Sequence, residues 1–143
     1  MSRSSYRLLP NVALADIAFR ANAGSPSELF ESCSRALTDV MVDRRSLRAV
    51  ETRTLVLRAE GLDGLLYDFL TQLIIIKDVD SLLFKEFDVK VDREGKSLTS
   101  ELRGEPIDRE RHRLRNDVKA VTMYMFGVKR SGARYSATVV LDI

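Results

Sequence analysis

The stretch Ser25-Pro26-Ser27-Glu28-Leu29-Phe30 is the clearest secondary-structure signal in this chain. Ser25 is a favoured helix-capping residue, proline is tolerated in the first helical turn, and Glu28 stands where it can complete a capping box. Apolar residues then recur at helical spacing as far as Met41. We therefore predict an amphipathic helix over residues 26–41, with Cys33 as an inert thiol on its buried face.

The segments around this helix alternate between strand and helix patterns. A first strand is expected near Asp16, a second over residues 52–60, and a second helix over residues 63–80, with Asp63 as its cap. Four more strands follow, over residues 83–91, 97–103, 117–129 and 134–143, with a polar loop at 104–116. This order predicts an α+β fold, in which two helices pack on one face of a mixed β-sheet within a single compact domain, residues 1–143.

Composition limits the classes of protein to consider. The chain has 143 residues, of which 45% are hydrophobic and 31% charged, and its formal net charge is +2. The apolar run at residues 73–76 is too short to cross a bilayer, and residues 1–9 lack the apolar segment of a secretory signal. With one cysteine, no internal disulfide forms. We expect a soluble, cytoplasmic protein without a membrane partner, which would touch nucleic acid only through a local patch.

Recognisable catalytic motifs are missing from the sequence. It contains no phosphate-binding glycine loop, no nucleophile elbow and no His/Cys cluster at metal-ligand spacing. The single histidine and the single cysteine lie in different kinds of segment, so they do not predict a catalytic dyad. A metal-dependent hydrolase built on Asp16 and Asp142 is the least supported hypothesis, because two carboxylates without a base or substrate pocket are not a mechanism.

The end of the sequence is acidic where a strand is expected. Asp142 follows an apolar strand pattern and precedes Ile143, which would carry the terminal carboxylate. Two negative groups held close together repel each other unless a cation lies between them. If Asp16 joins them, the three groups offer oxygen ligands that suit calcium, magnesium or manganese, and Lys119 could line the same surface. The alternative is that Asp142 is simply solvated and that Asp16 accepts backbone N–H bonds at a turn.

A second candidate surface is the arginine-rich loop at residues 109–115. It holds Arg109, Arg111, Arg113 and Arg115, which could meet RNA phosphates or an acidic partner. This pattern supports an alternative function as a small RNA-binding module. His112 lies among these cations, and we expect it to be a solvated or locally hydrogen-bonded loop residue.

Taken together, these segments resemble the archease family, the small protein cofactors of the GTP-dependent RNA-splicing ligase that joins tRNA halves. The matching pieces span nearly the whole chain in family order: Tyr6-Arg7-Leu8-Leu9-Pro10 with Ala15-Asp16, Glu28-Leu29-Phe30, Leu65-Leu66-Tyr67-Asp68-Phe69-Leu70, Gly104-Glu105-Pro106-Ile107-Asp108 with Arg111-His112, Asp117-Val118-Lys119-Ala120-Val121-Thr122, and Val139-Val140-Leu141-Asp142-Ile143. The chain departs from the family at residues 11–16, which are two residues longer and lack a histidine, and at Tyr124, where the family has a histidine.

The resemblance implies an α+β fold and a non-enzymatic role as activator of the RNA ligase. By analogy, Asp16, Asp142 and Ile143 would hold a divalent cation, which is assigned as calcium in this family. This acidic tip would promote guanylylation and multiple turnover of the ligase. Lys119 matches a basic residue implicated in the same activation. Arg111 and His112 are candidate residues for contact with the partner, and any contact with RNA would be indirect or weak.

Overall fold

The computed structural model describes residues 4–10 and 16–143, which form two α-helices, eight strands and one 3-10 helix. In chain order these are β1 (Ser5–Leu9), β2 (Asp16–Ala23), α1 (Pro26–Met41), the 3-10 helix (Arg44–Ser46), β3 (Glu51–Arg58), α2 (Leu62–Asp80), β4 (Leu82–Val91), β5 (Ser97–Pro106), β6 (Ala120–Val121), β7 (Gly127–Ser131) and β8 (Arg134–Asp142). The predicted α+β class is confirmed.

Helix α1 begins as its sequence predicts. Oγ of Ser25 accepts a hydrogen bond from the backbone N–H of Glu28 (3.2 Å), which satisfies one of the free donors of the first turn. Cys33 lies fully buried on this helix, and its burial raises the pKa of the thiol. The prediction of a buried cysteine on the core face of α1 is therefore confirmed.

Helix α2 starts differently from the prediction. Its capping position is Gly61, and no side chain in the described part of the protein caps the first turn. Asp63 instead accepts a hydrogen bond from the backbone N–H of Val128 (2.8 Å). The carboxylate therefore joins the start of α2 to strand β7, a contact that the local sequence pattern could not reveal. Neither helix in the described part of the chain has an apolar stretch sufficient to span a bilayer.

The strands form two sheets, and every pairing between described strands is antiparallel. One sheet has the order β1-β2-β8-β6, and β7 also pairs with β8, along the part of that strand that β6 leaves open. The other sheet has the order β3-β5-β4. In this detail the structure differs from the single mixed sheet that we predicted. Strand direction depends on partners more than a hundred residues apart, such as β2 and β8, so the local pattern does not determine it.

The predicted strand over residues 117–129 is interrupted. Two short strands, β6 and β7, flank an exposed loop that contains Met123, Tyr124 and Met125. Met125 adopts a left-handed backbone conformation (φ 56°), which ends the extended chain locally. As a result, β6 and β7 pair with opposite halves of β8 rather than forming one long strand.

One hydrophobic core connects the helices and both sheets. Helix α1 contacts β2 of the first sheet and β4 of the second, and α2 contacts β4 and β6. The largest fully buried side chains include Phe19, Phe30 and Phe69. Because β2 and β8 pair with each other in the first sheet, Asp16 and Asp142 lie at the same end of that sheet.

Candidate functional site

Asp16 and Asp142 lie directly opposite each other on the neighbouring strands β2 and β8. Residues paired in this way have their Cβ atoms about 4.5–5.5 Å apart and project from the same face of the sheet. Both residues are half-buried. We call these two residues the acidic pair. The structure thus brings together two of the carboxylates that sequence reasoning singled out.

Cations of the described chain do not neutralise the acidic pair. Within residues 4–10 and 16–143, neither carboxylate forms an ion pair or a side-chain hydrogen bond. The next residue pairs on the same face are Ala18 with Val140, and then Arg20 with Thr138. Nε of Arg20 donates to Oγ1 of Thr138 (3.3 Å). Along this face, the nearest arginine is therefore engaged four residues away from Asp16.

The other side of Asp142 is formed by the start of β6. Ala120 pairs with Asp142, and the backbone N–H of Lys119 donates to the carbonyl oxygen of Asp142 (2.8 Å). Lys119 itself is exposed. The structure therefore places Lys119 immediately beside the acidic pair, with its side chain at the surface.

Ile143 anchors the end of β8. It is half-buried and packs against the hydrophobic core, on the face opposite to that of Asp142. Because Ile143 directly follows Asp142, this packing restrains the main chain next to Asp142. Part of the predicted departure from the family, residues 11–15, lies outside the described residues.

Among the described residues, the acidic pair does not belong to a larger cluster of metal-binding side chains. Where the structure describes the chain, no three side chains of histidine, cysteine, aspartate or glutamate gather as a metal site. A cation at the acidic pair would therefore need further oxygen ligands from the main chain or from water. Calcium and magnesium both accept such ligands, whereas zinc prefers nitrogen and sulfur.

Arg111 and His112 belong to a buried network centred on Glu105. The guanidinium of Arg111 donates hydrogen bonds to both carboxylate oxygens of Glu105, and its Nη1 lies 2.9 Å from Oε2. Nε2 of His112 lies 2.9 Å from the same Oε2. The side chain of His112 is fully buried, whereas that of Arg111 is one-third exposed. Of the two residues expected at a partner contact, only Arg111 keeps an accessible part.

The other arginines of the 109–115 loop divide into two groups. Arg109 and Arg113 are exposed. Arg115 is also exposed, but its Nη1 donates to the carbonyl oxygen of Asp39 (2.7 Å). The loop therefore does not present four equivalent free cations, because Arg111 and Arg115 are both engaged in holding the fold.

Sequence reasoning missed a buried lysine beside the arginine loop. Lys77 is 7% exposed, and its ammonium group contacts the carboxylates of Asp117 and Asp78 and the carbonyl oxygen of Val118. A signal was present, because Lys77 continues the apolar face of α2 four residues after Leu73. This group ties α2 to the segment that leads into Lys119 and β6.

The comparisons with known proteins agree with this architecture. The sequence pattern of the archease protein family matches residues 6–143. The protein archease of Pyrococcus abyssi is 35% identical over 132 residues, covering 90% of this chain and 93% of that protein. The protein archease of Methanothermobacter thermautotrophicus is 37% identical over 131 residues, with the same coverage.

Solved structures show the same fold. The solution structure of a Methanobacterium thermoautotrophicum protein superimposes with a TM-score of 0.82 at 33% identity and covers 98% of each chain. A crystal structure from Thermotoga maritima, described as an archease and a possible chaperone, gives a TM-score of 0.67 at 20% identity over 94% of this chain and 96% of that one, which bears on the fold alone. On the family match and the identity of these relatives, the chain belongs to the archease family.

Proposed function

We propose that this protein is a non-catalytic activator of a GTP-dependent RNA-splicing ligase, and that it acts through calcium held by Asp16, Asp142 and the main chain of Ile143. Membership of the archease family supports the coarse role. The site is supported by one observation above all: two carboxylates face each other across β2 and β8 without a neutralising cation from the described chain.

Electrostatics favours a divalent cation at this position. Like charges directly opposite each other in a sheet are destabilising, and a cation between them reverses the sign of that interaction. Calcium binds six to eight oxygen ligands in flexible geometry, so two side-chain carboxylates, a main-chain oxygen of Ile143 and water would form a suitable set. These donors are all oxygens, as a hard cation requires.

The strands around the acidic pair would hold its geometry. Asp142 lies on β8 between Asp16 of β2 and Ala120 of β6, so neighbouring strands restrain its backbone on both sides. The buried side chain of Leu141 and the half-buried Ile143 fix the end of the strand against the core. A site held this rigidly suits a protein that presents an already arranged set of charged groups to a partner.

The residues of this chain suggest positioning rather than covalent chemistry. Bound calcium would supply a concentrated positive charge at the end of the sheet where the acidic pair lies. Lys119 would add a second positive group at the surface beside it, where the phosphates of a partner's nucleotide could be met. The single cysteine and the single histidine, Cys33 and His112, are both buried, so neither is placed to act as a nucleophile.

The test is ligase guanylylation and multiple-turnover RNA joining with the cognate ligase, comparing wild type with Asp142→Asn and Asp16→Asn. We expect wild type to activate the ligase and both variants to lose most of that effect. Calcium titration by calorimetry should show a matching loss of affinity, because each substitution removes a negative charge and one carboxylate oxygen at nearly the same side-chain volume.

A matched control is available on the second sheet. Asp88 lies opposite Glu101 in the β4–β5 pair, but Arg103 already pairs with Glu101 (3.2 Å). Asp88→Asn should leave calcium affinity and ligase activation unchanged. Full activation by Asp142→Asn, with calcium binding retained, would sink the proposal.

A further inference from the structure

A polar pocket lies away from the acidic pair, where the C-terminal end of α1, the 3-10 helix and β4 meet. Its volume is about 380 Å³. Among the residues that the structure describes, the charged groups that line it are four cations and two carboxylates: Arg44, Arg45, Lys85, Arg115, Asp39 and Asp43. Tyr6 also lines it. We call this the basic pocket, because its cations outnumber its carboxylates by two.

Both carboxylates of the basic pocket are already satisfied. Asp39 accepts hydrogen bonds from the hydroxyl of Tyr6 (2.6 Å) and from Nε of Arg44 (2.9 Å). Asp43 pairs with the guanidinium of Arg45 (3.0 Å). Burial, together with the bond to Asp39, raises the pKa of Tyr6 to about 12, so its hydroxyl remains a donor. These pairs account for two of the four positive charges.

Lys85 and Arg115 carry the remaining two charges. Nζ of Lys85 donates to the carbonyl oxygen of Leu47 (2.9 Å), and Nη1 of Arg115 donates to that of Asp39 (2.7 Å). Neither forms an ion pair with a carboxylate in the described ranges. The carbonyl end of α1 contributes roughly half a negative charge. The described residues of the pocket therefore keep a net positive charge of more than one.

The backbone around these two cations is irregular in a way that positions them. Lys85 is the extra residue at a register shift between Phe84 and Glu86 in β4, and such bulges redirect a side chain. Opposite the bulge, Gly104 approaches so closely that a Cβ atom there would lie 1.9 Å from the carbonyl oxygen of Leu83. The backbone N–H of Arg115 donates to the carbonyl oxygen of Met41 (2.7 Å). Both cations are thus held on restrained backbone.

We propose that the basic pocket binds a phosphate group, supplied either by an RNA backbone or by free phosphate. A tetrahedral oxyanion offers several acceptor oxygens, and guanidinium groups match them with paired donors. Arg44, Arg45 and Arg115 supply such donors, and Lys85 adds a point charge. The arrangement needs no metal, so the site is independent of the function proposed for the acidic pair.

The basic pocket is separated from the acidic pair along the sheet. Tyr6 pairs with Ala21, which lies five residues along β2 from Asp16. At about 3.3 Å per residue, Ala21 lies about 17 Å along the strand from Asp16. Because five is an odd number of residues, the side chains of Tyr6 and Asp16 project from opposite faces of the sheet. Variants at one site can therefore be studied without altering the other.

The experiment is a titration of the full-length protein, followed by two-dimensional NMR, with inorganic phosphate in one arm and a ten-nucleotide single-stranded RNA in the other. The variant Lys85→Gln/Arg115→Gln removes the two unpaired charges. The matched control Lys90→Gln/Arg58→Gln removes the same charges from exposed positions outside the pocket. Lys85→Arg/Arg115→Lys keeps the charge and guards against misfolding of the neutral variant.

We expect phosphate to shift the backbone signals of residues 44, 45, 85 and 115 in wild type. The dissociation constant should rise at least about tenfold in the neutral variant and change less than about twofold in the control variant. It should rise less in the charge-conserving variant than in the neutral one, because the charge is kept and only the paired donors of Arg115 are lost. RNA is the source of the phosphate if RNA shifts the same signals. The slope of log affinity against log salt concentration should then be shallower in the neutral variant, by about 0.7 for each phosphate left without a cation. If phosphate alone binds, the source is free phosphate. Shifts elsewhere, or equal affinity in all variants, would overturn the proposal.

Discussion

Nε2 of His112 donates a hydrogen bond to Oε2 of the buried Glu105 across 2.9 Å. The proton lies on Nε2 because Nδ1 accepts from the backbone N–H of Asp108 (2.9 Å). Glu105 also accepts from the backbone N–H of Arg48 (2.7 Å) and from Arg111. One carboxylate therefore connects β5, the 109–115 loop and the segment after the 3-10 helix.

This network predicts a dependence of stability on acid pH. The hydrogen bonds from Arg111, aided by those of His112 and Arg48, lower the pKa of Glu105 to about 2 in the folded protein, against its ordinary 4.5. The carboxylate therefore stabilises the fold fully above about pH 4.5, and this contribution is lost as the pH falls towards 2. Thermal unfolding of Glu105→Gln should show a lower Tm at pH 7 and a shallower fall of Tm between pH 5 and pH 2 than wild type.

The control for Glu105 is Glu94→Gln, in the exposed turn between β4 and β5. It should retain the wild-type Tm at pH 7 and the wild-type slope at acid pH, because surface substitutions usually change stability by no more than about 0.5 kcal/mol. If Tm fell equally steeply between pH 5 and pH 2 in Glu105→Gln and in wild type, the role assigned to Glu105 would be contradicted.

Gly104 should not tolerate any larger side chain. A Cβ atom at this position would meet the carbonyl oxygen of Leu83 at 1.9 Å and the Cα of Phe84 at 2.6 Å, and both obstacles are backbone atoms. We expect Gly104→Ala to cost about 3 kcal/mol or more of unfolding free energy in urea denaturation. Gly127→Ala has nothing within 4 Å of the added atom and should change stability by about 0.5 kcal/mol or less. Similar costs at the two positions would refute the close approach.

Lys77 and Asp117 should respond unequally to substitution, although they form one ion pair. Lys77 is buried and also holds the carbonyl oxygen of Val118 (2.7 Å), whereas the side chain of Asp117 is 80% exposed. Lys77→Ala should cost about 2–4 kcal/mol, since it leaves a cavity and an unpaired carbonyl. Asp117→Asn should cost less than about 1 kcal/mol, because Asp78 still pairs with Lys77. Chemical denaturation measures both, and equal losses would show that the pair acts as one unit.

The acidic pair should destabilise the protein when calcium is removed. Like charges directly opposite in a sheet repel, so Asp16→Asn or Asp142→Asn should raise the metal-free Tm, by an amount equivalent to a few tenths to about 1 kcal/mol. Calcium should then raise the Tm of wild type and leave that of either variant nearly unchanged, because only a native state that binds the ion gains stability. Calorimetric melts in chelator and in calcium test both parts. A wild-type Tm indifferent to calcium would count against the metal site.

Local sequence patterns determined the helices and most strand positions. The capping residues at Ser25 and Glu28 and the apolar repeat that includes Cys33 report on contacts within a few residues, so α1 was predicted closely. The break between β6 and β7 was missed because the apolar pattern of this segment does not indicate the left-handed backbone of Met125 within it. The direct pairing of the acidic pair was also beyond local reasoning, since it depends on the register between two strands at opposite ends of the chain.

By itself, the sequence determined the fold class, the family and the residues to examine: Asp16, Lys119, Asp142 and Ile143. The tertiary structure decided which of these groups meet and which groups are hidden. It placed Asp16 opposite Asp142, buried His112 against Glu105, and brought Lys85 and Arg115 to the lining of one pocket. The physical reason is range: propensity and periodicity act over a few residues, whereas register, bulges and burial arise only when distant segments pack together.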